Sequence, residues 1–231
     1  MTALSSRLLA LALLLAIPAF AQEGRKGASD AARPTPAPDT KAKAAALRVQ
    51  RFYEHAKNFT ARFAQTSTYP TFGNVKQASG KVSVAKPDRL RWEYDDGRLI
   101  VLDGEALWNW NAEDKEATVH RGFGVSQVPP EFAFLFGKGT LLDRFSVREA
   151  EAAPGLPQGE SLELVPRKPS AEVQKLVLVA GPDGQVKASV VTNSQGDVNQ
   201  LVFSEVKVDG PLADSLFRFE PPAGAHVTEV K

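Results

Sequence analysis

The chain has 231 residues, ordinary apolar (43%) and charged (24%) fractions, and a formal net charge of +1. That length allows one well-filled core or two small ones, and the charge is too near neutral for nucleic acid or an anionic membrane to be the main partner. Cysteine is absent, which excludes disulfides and thiolate metal sites.

MTALSSRLLALALLLAIPAFA, residues 1–21, has one early charge at Arg7, an apolar run from Leu8 to Ile17, and Ala19-Phe20-Ala21 before Gln22. The pattern predicts a secretory signal with an A-x-A cleavage site. Its apolar run is about half the roughly 20 residues of a spanning helix. The expected product is an exported, soluble chain with no boundary cysteine to receive a lipid. Residues 22–40, QEGRKGASDAARPTPAPDT, are rich in Ala, Pro, Gly and charge, and predict a disordered lead.

Residues 41–231 are expected to form one domain. It opens with an amphipathic helix capped by Asp39 or Thr40. Ala42, Ala45, Ala46, Val49, Phe52, Tyr53 and Ala56 share one face, and Lys41, Lys43, Arg48 and Arg51 lie off it. From Phe59 the period becomes two. Phe59, Ala61 and Phe63 alternate with polar residues, as do Val82 and Val84. Leu90, Trp92 and Tyr94 share a face opposite Arg89, Arg91 and Glu93. Asp95-Asp96-Gly97 and Asp103-Gly104 read as hairpin turns, and Ala106, Trp108 and Trp110 alternate with Leu107, Asn109 and Asn111. Further strands are predicted near 145–149, 161–166, 173–180, 185–193 and 199–208. Between the halves, Pro129 or Pro130 opens a short helix carrying Phe132, Leu135 and Phe136, stopped by Gly137. The count is ten or eleven strands with two or three helical pieces, in a sheet curling toward a barrel.

Chemistry is sparse. His55, His120 and His226 are scattered without metal-ligand spacing. Gly137-Lys138-Gly139-Thr140 lacks the first glycine of a phosphate loop, and no G-x-S-x-G elbow occurs. The expectation is a protein that is no enzyme and takes no cofactor or metal.

Read in order, NFTARFAQTS (58–67), GKVSVAKPDRLRWEY (80–94), LIVLDGEALWNWN (99–111) and FEPPAGAHV (219–227) resemble the periplasmic outer-membrane lipoprotein carrier family, LolA. The resemblance implies a mainly β fold with α, an incomplete, half-open antiparallel barrel whose concave face is covered by helices around an apolar cavity. It implies a periplasmic, monomeric carrier that binds lipoprotein acyl chains. Cargo would come from an inner-membrane lipoprotein-releasing ABC transporter and pass to an outer-membrane lipoprotein receptor. The expected lipid-binding set is Leu90, Trp92, Tyr94, Val101 and Trp108 from the sheet, with Phe132, Leu135 and Phe136 from a lid. Lys86 stands where the family often has an arginine linked to lid closure and transfer. Lysine keeps the charge without the planar fork of donors. The plain alternative is that the aromatics are packed core and Lys86 a solvated charge. Two other roles suit the same fold: an envelope sensor that holds a protein partner, and a carrier of another lipid such as a glycolipid.

Overall fold

Alternation of apolar and polar residues governs the chain from Asn58 onward. In a computed structural model describing residues 40–124, 127–128, 133–151 and 153–230, it produces one twelve-stranded sheet. The strands are β1 (Asn58–Tyr69), β2 (Asn74–Ala85), β3 (Arg89–Tyr94), β4 (Leu99–Leu102), β5 (Ala106–Asn111), β6 (Glu116–Arg121), β7 (Phe145–Glu149), β8 (Glu160–Pro166), β9 (Lys175–Ala180), β10 (Val186–Thr192), β11 (Val198–Val208) and β12 (His226–Glu229). Their order is β12-β6-β5-β4-β3-β2-β1-β11-β10-β9-β8-β7. Within β1–β6 and within β7–β11, neighbours in sequence form antiparallel hairpins. The exceptions are the β1–β11 seam, also antiparallel, and β12, which runs parallel to β6. The ends β12 and β7 do not pair, so the barrel stays half-open.

The strand beyond the expected ten or eleven is β12. Its four residues are all exposed and show no alternation, so only their pairing with β6 reveals them. The predicted signal and lead, residues 1–39, lie outside the described residues.

One long helix, α1 (Thr40–His55), lies on the concave face. Its buried positions are Ala42, Ala45, Ala46, Val49, Gln50 and Tyr53, and the alanines let its backbone come close. It packs against β7, β8 and the one-turn helix α2 (Leu141–Arg144). The β9–β10 turn abuts it as well. Gly184 sits at φ 94°, and a Cβ there would lie 2.3 Å from the Arg48 carbonyl oxygen. Among the described residues of the segment predicted as a helix over 128–136, a single 3-10 turn, Ala133–Phe136, stands next to α1 and ends at Gly137. Phe132 lies outside the described residues.

Both faces of the β3–β6 region are covered. Leu90 pairs with Leu102 and Trp92 with Ile100, and these four belong to the large concave core with Leu107. Leu99, Val101, Trp108, Trp110 and Ala117 form a second cluster on the convex face, under Phe219 and Ala225. The C-terminal segment straps that face. Arg89 is ion-paired with Asp214, Phe217 is 1% exposed, and Phe219 meets Trp108 and Trp110 at ring-centroid distances of 5.6 and 6.0 Å.

Strand β11 is bent. Arg62 pairs with Ser204 but Thr60 with Lys207, so Glu205 and Val206 together oppose Ala61. Glu205 takes a left-handed φ of 51°, marking a β-bulge. β10 pairs with β11 only over residues 198–202, so beyond the bulge β11 keeps β1 and loses β10.

Gly184→Ala is expected to cost about 1–3 kcal/mol by forcing the turn away from α1, read as a lower urea midpoint at unchanged m-value.

Candidate functional site

Between the concave face, α1 and the 133–136 turn lies an apolar chamber. Its sheet wall includes Ala61, Val82, Val84, Leu90, Trp92, Leu176, Leu178, Val191, Leu201 and Phe203. Tyr53 of α1 with Phe134, Leu135 and Phe136 of the turn form its cover. Ser189 is the aliphatic hydroxyl among the lining residues. The atom-free volume is about 850 Å³ including the mouth, of which about 80 Å³ is wide enough for the centre of a water-sized sphere. An apolar space of that size stays dry. The chamber is therefore drawn in beneath its cover.

The aromatic groups hold one another, mostly edge to face, with Phe63 and Trp92 tilted at 38°. Tyr53 meets Phe59 at 5.5 Å and Phe134 at 5.7 Å, while Phe63 lies 4.6 Å from Trp92 and 5.3 Å from Tyr94. Phe63 fits because it crosses Gly80, where a Cβ would lie 2.8 Å from its ring.

Sequence and structure meet unevenly here. Leu90, Trp92, Leu135 and Phe136 line the chamber. Tyr94 belongs to the same concave core but stands behind Phe63, outside the wall. Val101 and Trp108 are a correction: they pair with each other on the convex face and pack in the second cluster, not in the chamber. Strand alternation is the reason, since residues one step from Ile100, Leu102 and Leu107 point to the other side of the sheet. Tyr53, on the apolar face of α1, is part of the cover.

Two polar ties hold that cover. Lys86, just after β2, donates from Nζ to the carbonyl of Tyr53 and, at 3.0 Å, to that of Glu54. It thereby satisfies carbonyls at the end of α1 that have no helical partner. A Cβ on Gly137 would lie 3.1 Å from the same nitrogen, so the 133–136 turn ends against it. Burial draws the Lys86 ammonium below the usual lysine value, with Asp209 and Glu54 opposing. The second tie is Gln50, 5% exposed on the buried face of α1. Its Nε2 donates to the Gly139 carbonyl at 3.1 Å and to Glu54 at 2.7 Å, and its Oε1 accepts from the Leu141 amide at 2.7 Å. Sequence reasoning missed Gln50; the available signal was a long amide beside Val49 on an otherwise apolar face.

Burial pushes the Tyr53 hydroxyl far above the ordinary phenol value of 10.0, against a backbone hydrogen bond involving Val186 that lowers it. Burial also pushes Tyr94 up to about 12, with Arg98 opposing. Among the described residues no group of three His, Asp or Glu side chains could hold a metal ion, and no helix is long and apolar enough to cross a membrane.

A family model described as outer membrane lipoprotein carrier protein LolA matches residues 54–220. An outer-membrane lipoprotein carrier protein of Nitrosomonas europaea is 31% identical over 190 residues, covering 80% of this chain and 89% of that protein. One from Vibrio cholerae serotype O1 is 26% identical over 176 residues, covering 75% and 84%. Among solved structures, an uncharacterized conserved protein from Thermus thermophilus shares the fold, with a TM-score of 0.51 at 16% identity, covering 82% of this chain and 99% of that one.

Three outcomes are expected. Gln50→Leu strands the Gly139 carbonyl and the Leu141 amide and is expected to destabilise by about 1–3 kcal/mol, with faster hydrogen exchange at Leu141. Trp108→Ala is expected to cost about 3 kcal/mol in urea unfolding while leaving the affinity of the chamber for an acyl probe unchanged. Above pH 10 the unfolded chain releases phenol protons that the folded chain keeps. Stability therefore falls as pH rises toward 12, by about 1.4 kcal/mol per pH unit for each such tyrosine. Tyr53→Phe should flatten that slope by one such increment in urea titrations across this range.

Proposed function

The chain belongs to the LolA family of outer-membrane lipoprotein carriers, and from that premise we propose that it shelters lipoprotein acyl chains in its concave chamber while they cross the periplasm. The observation that carries this reading is the apolar chamber under α1 and the 133–136 turn. Each methylene kept from water is worth about 0.8 kcal/mol. A long continuous apolar wall supplies that term, and catalytic groups would add nothing to it.

Delivery sets an opposite demand, because a chamber that grips too tightly cannot release. The drawn-in wall supports a cycle in which loading opens the cover and unloading lets it fall back. Opening costs the Gln50 and Lys86 hydrogen bonds and the aromatic contacts around Tyr53. Closing restores them, so part of the guest's burial energy is returned at release. Leu90, Trp92, Leu135 and Phe136 are proposed to contact acyl chains, and Lys86 and Gln50 to set the closed state. In this reading the donor of cargo is the inner-membrane lipoprotein-releasing ABC transporter and the acceptor an outer-membrane lipoprotein receptor.

The purified protein is expected to bind a fluorescent fatty-acyl probe near one to one, and to take up lipoprotein from inner-membrane vesicles holding the release complex. Failure of both removes the proposal. Mass spectrometry of lipid extracted from the purified protein separates lipoprotein from glycolipid cargo. Leu135→Glu, at a half-buried lid position, is expected to weaken the probe at least tenfold with little change in melting temperature.

A further inference from the structure

Resting on the carrier reading, we infer that the split between β10 and β11 is the portal at which the polypeptide of an acylated cargo sits while its acyl chains occupy the chamber. A lipoprotein is half guest and half bystander: its tails must be enclosed and its chain must leave. The concave chamber therefore needs a gap in its wall that is apolar at the threshold and polar outside.

Such a gap opens where β10 leaves β11. Their pairing ends at Ala188–Val202, ahead of the bulge at Glu205–Val206, and the partners of β11 over residues 203–208 all lie in β1. Phe203 and Val206 still line the chamber. Two residues on, Val208 is 37% exposed and lines a second, open groove with Phe52, Ala56, Arg48, Arg51 and His55. The groove lies beside the chamber. Phe52 lies 5.1 Å from Tyr53 of the chamber cover, and Val208 pairs with Phe59 of the chamber wall. The groove is open to solvent where the chamber is largely enclosed, as a space for a polypeptide rather than a hydrocarbon must be.

Its chemistry fits a peptide better than a phosphate. The floor of Phe52, Ala56 and Val208 is apolar, and the rim mixes signs. Arg48, ion-paired with Glu160, Arg51 and His55 stand opposite Asp183 and Asp209. Asp209 already accepts from the amides of Lys57 and Asn58 at 2.6 and 3.3 Å, and Asp183 from that of Gln185 at 3.0 Å. Arg51 has no carboxylate partner among the described residues, leaving its donors for guest carbonyl oxygens. A rim of balanced charge rejects a bare anion and accepts a backbone that offers donors and acceptors together.

The test compares a synthetic diacylated lipopeptide with the neutral, headless fluorophore N-phenylnaphthylamine. Val208→Trp narrows the gap at an exposed position, and Arg51→Glu reverses the rim. Both are expected to weaken lipopeptide at least tenfold at equilibrium while changing fluorophore affinity less than twofold. A lipopeptide with a benzophenone next to its acylated residue is expected to crosslink wild-type protein within 48–56 or 208–209. Equal lipopeptide affinity in both variants, or crosslinks confined to 133–140, would overturn the portal and leave the carrier reading standing. If wild-type protein binds neither ligand, the carrier reading falls and the portal with it.

Discussion

An oily concave wall that must neither face water nor be packed solid is the constraint from which the rest of this molecule follows. Helix α1 meets it by lying on the sheet through alanines at one end and through Tyr53 at the other. The alanine end is close and fixed against β7 and β8. The Tyr53 end lies over the chamber, held by aromatic contacts to Phe59 and Phe134 and by polar ties. Hydrogen bonds suit that task, because each is worth only about 1 kcal/mol net and is directional, so a few of them define a closed position without making it permanent.

The convex face supports the same end by different means. Leu99, Val101, Trp108 and Trp110 under Phe219 give β4–β6 a second dry layer, so this part of the sheet does not depend on the chamber for its stability. A wall that is to tolerate a changing interior needs such a backing. Rigidity is supplied from behind, and adaptability is kept in front.

Much of this architecture is legible in the chain. The D-G turns and the alternation of Leu90, Trp92 and Tyr94 specify consecutive hairpins, and helical spacing from Ala42 to Tyr53 locates α1 within a residue. What stays hidden is which face of β4 and β5 looks inward. Residues 99–102 are all buried, so alternation cannot decide, and the larger tryptophans of β5 outweigh Leu107 although register puts Leu107 inside. Size is a poor guide once both faces are covered. Phenylalanines at helical spacing also suit a 3-10 turn, the form taken by Ala133–Phe136. The position of Gln50 on an apolar face is a sequence signal, but its partners are not, since the Gly139 carbonyl and the Leu141 amide are backbone groups roughly ninety residues away.

The seam between β1 and β11 carries a consequence for how the chain matures. Strands β1–β6 and β7–β11 are each meanders of neighbours, able to form from local contacts. Uniting them requires Phe59 to find Val208 and Thr68 to find Val198, pairings that wait for nearly the whole chain to appear. Until then the inner surfaces of both half-sheets are bare and sticky. The inward apolar side chains of each half are covered only once that seam has closed.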